Sequence, residues 1–146
     1  MLPKEEEIAR RALEIKKEVC SSICKSLDGK EHIGEVTVGE KYTCDPKPCV
    51  SATEGKEVGR VHSHYEYPMQ LSLSDVLDLL EHGWEKSCIV EVSPEGVTEK
   101  LCWRVKGKVP GDIIDEAEYV DLKHNELENR GEEVSKKLEK YLEEVE

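Results

Sequence analysis

Residues 60 to 75 read RVHSHYEYPMQLSLSD and hold the side chains of this chain best suited to chemistry. His62 and His64 stand one residue apart in EVGRVHSH, a segment that reads as a strand. Strand residues i and i+2 leave the same face, so the two imidazoles emerge side by side and can hold one divalent metal. Asp75 arrives from the first turn of LSLSDVLDLLEHG, whose apolar spacing predicts a helix of about three turns. Three ligands leave one tetrahedral position open, and an open position separates a catalytic zinc from a structural one. Each residue also has a plain reading. A His-x-His on a strand can be polar surface or a satisfied core pair, an aspartate near a helix start complements the helix dipole, and Ser72 or Ser74 can be the N-cap. The whole spacing, His-x-His-x₇-Ser-x₂-Asp across a strand-to-helix junction, is far more specific than its parts.

The elements that must position these residues follow from periodicity. Ile8, Ala12, Ile15, Val19, Ile23 and Leu27 recur every three or four residues and predict one long amphipathic helix, with Pro3 in its first turn and Gly29 past its end. HIGEVTVGEKYT alternates and reads as a strand, and CDPKPCVSATEGK reads as a loop. After the Asp75 helix, which Gly83 stops, KSCIVEV and VTEKLCWRV form a β-hairpin around SPEG. A turn centred on Glu95 sets Cys88 opposite Cys102. AEYVDL reads as a last strand, and residues 126 to 145, with Val134, Leu138, Tyr141 and Val145, as a C-terminal helix. No repeat or domain boundary is visible, so residues 1–146 read as a single α/β (α+β) domain, either α+β or a three-layer sheet flanked by helices.

Composition narrows the function classes. A chain of 146 residues can bury a core without staples but is too short for an eight-fold β/α barrel of about 250 residues. A net charge of −12 argues against nucleic acid and against anionic membranes as partners. No apolar run is long enough to span a bilayer, and the charged start MLPKEEEIARR does not read as a signal peptide, so a cytoplasmic protein is the expectation. Charged residues make up 37% of the chain, with Gln70 the sole glutamine and Asn125 and Asn129 the sole asparagines, a pattern of thermophiles. That matters for Cys20, Cys24, Cys44, Cys49, Cys88 and Cys102, because intracellular proteins of hyperthermophiles do carry disulfides. Disulfides, a four-cysteine metal site and plain buried thiols all remain open readings.

HSHYEYPMQLSLSD resembles the JAMM signature of the MPN-domain zinc metalloproteases, and it matches at both histidines, the serine and the aspartate. The family pattern also has an upstream glutamate in a Glu-x-x-Gly segment, and EHIGEVTVG supplies Glu31, Gly34 and Gly39. The resemblance spans roughly residues 5 to 105; Tyr65 stands where the family usually has proline. It implies an MPN/JAMM-like fold, a cytidine-deaminase-like three-layer mixed β-sheet flanked by helices. It implies Zn²⁺ held by His62, His64 and Asp75, Glu31 as general base and then acid, and Ser72 as a donor to the developing oxyanion. Glu35 is the best rival for the base, with Glu40 and Glu57 behind it. The activity implied is peptide or isopeptide hydrolysis at the C-terminal tail of a ubiquitin-like modifier or sulfur-carrier protein, as in small archaeal or bacterial members. Two alternatives stand beside it: a metal-free MPN scaffold, and the same hydrolytic chemistry on an unrelated small substrate. Barrel amidohydrolases and cupins fit less well, since His32, His82 and His124 have no suitable company.

Overall fold

The computed structural model describes residues 2–41, 43–50, 54–64, 71–93, 95–123 and 128–145, with residues 128 and 129 described by backbone only. Tyr65, Pro68, Pro94 and His124 lie outside these segments. The described elements are α1 (Pro3–Ile15), β1 (Val19–Lys25), β2 (Glu31–Ile33), β3 (Thr37–Val38), β4 (Lys56–Ser63), α2 (Leu73–His82), β5 (Lys86–Val92), β6 (Thr98–Val105), α3 (Gly111–Leu122), α4 (Glu128–Glu139) and β7 (Leu142–Val145). The seven strands form one mixed sheet in the order β2-β1-β4-β5-β6-β7, with β3 also paired to β1. Every pairing is antiparallel except β4 with β5, which is parallel. Parallel neighbours need a crossover, and α2 provides it.

Helices cover both faces of the sheet. Ile8, Ala9 and Ala12 of α1 pack in one core cluster with Val19, Ile23, Val61, Val90, Cys88 and Cys102. The opposite face of β4 carries Arg60 and His62, and Arg60 reaches Asp78 of α2 at 3.2 Å. A second cluster there joins Val76 of α2 to Ala117 and Val120 of α3 and Val134 and Leu138 of α4.

The predicted first helix is wrong beyond Ile15. Lys16 takes a left-handed conformation (φ 57°, ψ 43°) and ends α1, and the chain resumes as β1. All six residues of β1 from Val19 to Cys24 are buried. A strand buried on both faces has no polar alternation, so Val19, Ile23 and Leu27 imitate helical spacing. AEYVDL is likewise helical, as part of α3, and the predicted C-terminal helix ends at Glu139 and is followed by β7. β7 closes the sheet edge against β6, with Trp103 opposite Glu144. HIGEVTVGEKYT gives two short strands rather than one. EVGRVHSH, the Asp75 helix and the β5–β6 hairpin fold as predicted, with Cys88 opposite Cys102.

All six cysteines are paired: Cys20 with Cys44, Cys24 with Cys49, and Cys88 with Cys102. The first two bonds fasten the segment around residues 44–49 onto β1. The third ties the β5–β6 hairpin directly across its register.

Candidate metal centre

β4 ends at Ser63, and α2 starts after its N-cap Ser72, so the two histidines and Asp75 meet at the carboxyl end of a parallel strand. That is where open sheets with crossover helices place ligands. Ser63, the residue between the histidines, points the other way and is buried. Its Oγ lies 3.0 Å from the amide nitrogen of Val19 and accepts its proton, and it donates to the Val19 carbonyl at 3.2 Å. This hydroxyl pins the start of β1 to the end of β4.

The pairing of β1 with β4 sets Cys20 opposite His62. Continued by one step along the same face, it sets Glu18 opposite His64. Glu18 is held there by backbone bonds on both sides, its amide donating to the Glu40 carbonyl at 2.9 Å and its carbonyl accepting from Gly39 at 2.8 Å. One carboxylate oxygen of Glu18 and one ring nitrogen each of His62 and His64 lie within 4.8 Å of one another, and all three residues are buried.

Asp75 completes the group. Its Oδ2 lies 3.1 Å from His62 Nε2 and 3.9 Å from His64 Nε2, and the two Nε2 atoms are 3.1 Å apart. A tetrahedral zinc with bonds of about 2.0–2.1 Å has ligand atoms about 3.3 Å apart, so this donor set fits a metal ion. The Ser72 amide donates to the same Asp75 oxygen at 2.9 Å, while Ser72 Oγ accepts from the Asp75 amide at 3.2 Å. The reciprocal capping bonds therefore orient the carboxylate toward the histidines. They occupy a lone pair of Ser72 Oγ.

The charges are strongly coupled. Burial pushes the Glu18 carboxyl up to about 7; nearby His62 opposes the rise and Asp75 adds to it. Burial also pushes Asp75 up, but His62 and the Ser72 bonds outweigh it and hold this carboxyl well below the usual range. His62 is shifted the opposite way: burial lowers it, while Asp75 and Glu18 raise it above the ordinary imidazole value. Two carboxylates around two imidazoles thus favour a positive charge between them, a proton or a metal cation.

His62, His64, Ser72 and Asp75 are brought together, but Glu31 is not. Glu31 pairs with Lys25 at the other end of β1, five residues from Cys20, or about 17 Å along a strand. Its carboxylate instead forms an ion pair with Lys86 at 2.5 Å. Glu35 is ion-paired with Lys47 at 2.9 Å, and Glu57 accepts from Ser22 Oγ at 2.8 Å. Glu40 contributes its backbone carbonyl to Glu18. The sequence reading missed Glu18 because it lay inside the supposed first helix. The signal was the run VCSSIC directly after it, which has no charged position on any helical face and so describes a buried strand.

His82 sits in the last turn of α2, its ring stacked on Trp84 at 4.3 Å with Nδ1 2.9 Å from the Asp78 carbonyl oxygen. A shallow groove beside Ser72 is lined by Leu71, Val76, Trp103 and Leu142. Among the described residues no helix is long and apolar enough to cross a membrane.

No protein-family model matches this chain, and no curated protein does. Among solved structures it is similar to the solution structure of a protein from Salinibacter ruber, at 15% identity and a TM-score of 0.40, over 71% of this chain and 80% of that one.

Proposed function

We propose that the protein is a metal-dependent amide hydrolase with an MPN/JAMM-like fold. The observation that carries this reading is the meeting of His62, His64 and Asp75 with a fourth, buried acid, Glu18, at the mouth of the β4–α2 crossover. His62, His64 and Asp75 would hold the metal, and zinc suits two imidazoles and a carboxylate. When bound, such a metal polarises a substrate carbonyl and makes water acidic near neutral pH.

This chain's residues do the rest. Glu18, rather than Glu31, takes the general-base role: it accepts a proton from the attacking water and passes it to the departing amine. One of its carboxylate oxygens lies within 4.8 Å of a ring nitrogen of each histidine, where it can reach a water held between them. Ser72 turns its hydroxyl proton toward the substrate carbonyl oxygen as negative charge develops there. No covalent intermediate is required, which agrees with the absence of free thiols among the described cysteines.

The substrate class rests on the motif's resemblance alone: the C-terminal tail of a ubiquitin-like modifier or sulfur-carrier protein. The decisive experiment has two arms. Oxidised protein is assayed for bound zinc, and zinc-loaded protein is incubated with a ubiquitin-like domain fused through its tail to a reporter. Zinc bound and the fusion cut at the tail supports the full reading. Zinc bound without cleavage of any ubiquitin-like fusion overturns the substrate class. No zinc at His62, His64 and Asp75 overturns the metal chemistry.

A further inference from the structure

A second group of metal-ligating side chains lies at the other end of β1. Cys24 Sγ, a ring nitrogen of His32 and a carboxylate oxygen of Glu54 fall within 4.8 Å of one another. They come from three parts of the chain. Cys24 and His32 are register partners across β1 and β2, and Glu54 comes from the turn before β4. Cys49, bonded to Cys24, adds a second sulfur to the same spot.

Gly34 leaves room for this convergence. A Cβ there would stand 3.3 Å from Glu54 Oε2 and 3.5 Å from Cys24 Sγ, so the bare backbone forms the floor on which the two side chains meet. The two Glu54 oxygens have separate surroundings. Oε1 accepts from the Val50 amide at 2.9 Å and so anchors the carboxylate, while Oε2 is the oxygen that stands over Gly34. A disulfide is a poor ligand for a dication. Two thiolates, an imidazole and a carboxylate are a tetrahedral zinc set.

We propose that Cys24, Cys49, His32 and Glu54 form a zinc site when the Cys24–Cys49 disulfide is reduced, so that the same loop anchor is a covalent bond under oxidising conditions and a metal bridge under reducing ones. The chemistry balances with a trialkylphosphine as reductant. The phosphine loses two electrons and takes the oxygen of one water, and the two sulfurs gain those electrons and the water's two protons. Zinc then displaces the two thiol protons into solution. In a tetrahedral site with Zn–S bonds of about 2.3 Å the sulfurs stand about 3.8 Å apart. Cys49 lies in a partly exposed loop, so it is the sulfur open to the reductant. The inference is independent of the reaction at His62 and His64.

Cobalt is the probe, because thiolate coordination gives a near-ultraviolet charge-transfer absorption that the His62, His64 and Asp75 site cannot give. Wild-type protein is titrated with cobalt chloride before and after reduction by a trialkylphosphine, with thiols counted in parallel. The absorption should appear only after reduction, be lost in Cys24→Ser/Cys49→Ser, weaken in Cys49→Ser, His32→Ala and Glu54→Gln, and persist in Cys44→Ser and in Cys88→Ser/Cys102→Ser. Zinc content should rise by one equivalent per chain on reduction. The proposal is overturned if the reduced protein shows no thiolate absorption, if Cys24→Ser/Cys49→Ser retains it, if it vanishes with Cys44→Ser or the Cys88/Cys102 pair, or if the Cys24–Cys49 bond stays closed in folded protein under reductant.

Discussion

Cys20 and His62 are register partners across the antiparallel β1–β4 pair, and this pairing decides which glutamate stands at the histidines. It carries Glu18 to the site and leaves Glu31 about five residues away, in the Lys86 ion pair. Glu18→Gln should therefore keep its zinc and lose cleavage of a ubiquitin-like fusion by about 10²–10⁴, the usual worth of general acid–base catalysis. Glu31→Gln should cleave within a few-fold of wild type, since only a partly exposed ion pair is lost. Cleavage abolished by Glu31→Gln but not by Glu18→Gln would refute the geometric assignment.

Ser72 has a structural and a chemical task at one atom. Its Oγ caps α2, and its proton faces the substrate in the proposed reaction. Ser72→Ala should lower stability by about 1 kcal/mol for the cap and lower kcat by about 10²–10³ for the oxyanion donor. Ser72→Asp separates the two. Aspartate caps a helix as well as serine does but brings a negative charge to the oxyanion, so it should recover stability and leave kcat low. Recovery of both would show that Ser72 acts only as a cap.

The parts of this fold that the sequence discloses are those marked by a local signal, a cap, a stop or a short turn. α2 shows its apolar stripe, its Ser72 cap and its Gly83 stop, and the short turn between β5 and β6 was enough to set Cys88 opposite Cys102, although Ser87 to Val90 are buried on both faces. β4 was found because its His-x-His lies on one face and Val61 and Ser63 on the other. β1 was missed because it is buried on both faces, which leaves no period of two, and because no glycine or proline separates it from α1 as SPEG separates β5 from β6. Missing β1 also hid Glu18, whose place depends on long-range pairing with β4 and not on local spacing. α3 was misread because Ala117, Tyr119 and Val120 suit either state, and its burial against α4 decides between them.

Ser63 is a positioning residue for Glu18. It holds both backbone polar groups of Val19 in a buried environment. Ser63→Ala leaves the Val19 amide without that acceptor, at a cost of about 1–3 kcal/mol read from chemical denaturation. Because Glu18 precedes Val19, kcat should fall while zinc content stays unchanged, and Ser63→Thr, which restores a hydroxyl, should recover part of both. An unchanged kcat in a clearly destabilised Ser63→Ala protein would show that the clamp serves stability only.

The metal centre itself makes the last prediction, tested under oxidising conditions so that Cys24 and Cys49 stay bonded. His62 Nε2, His64 Nε2 and Asp75 Oδ2 already stand 3.1–3.9 Å apart, so binding needs little rearrangement and should couple directly to folding stability. Zinc at about a hundred times its dissociation constant should raise the unfolding free energy of chelator-treated protein by about 2.7 kcal/mol. His62→Ala and Asp75→Asn should abolish this rise together with the bound zinc. Glu18→Gln should retain the rise, because Glu18 is assigned to the water and not to the metal. If Glu18→Gln loses zinc as completely as His62→Ala, then Glu18 is a ligand, the fourth position is filled by protein, and the centre is structural rather than catalytic.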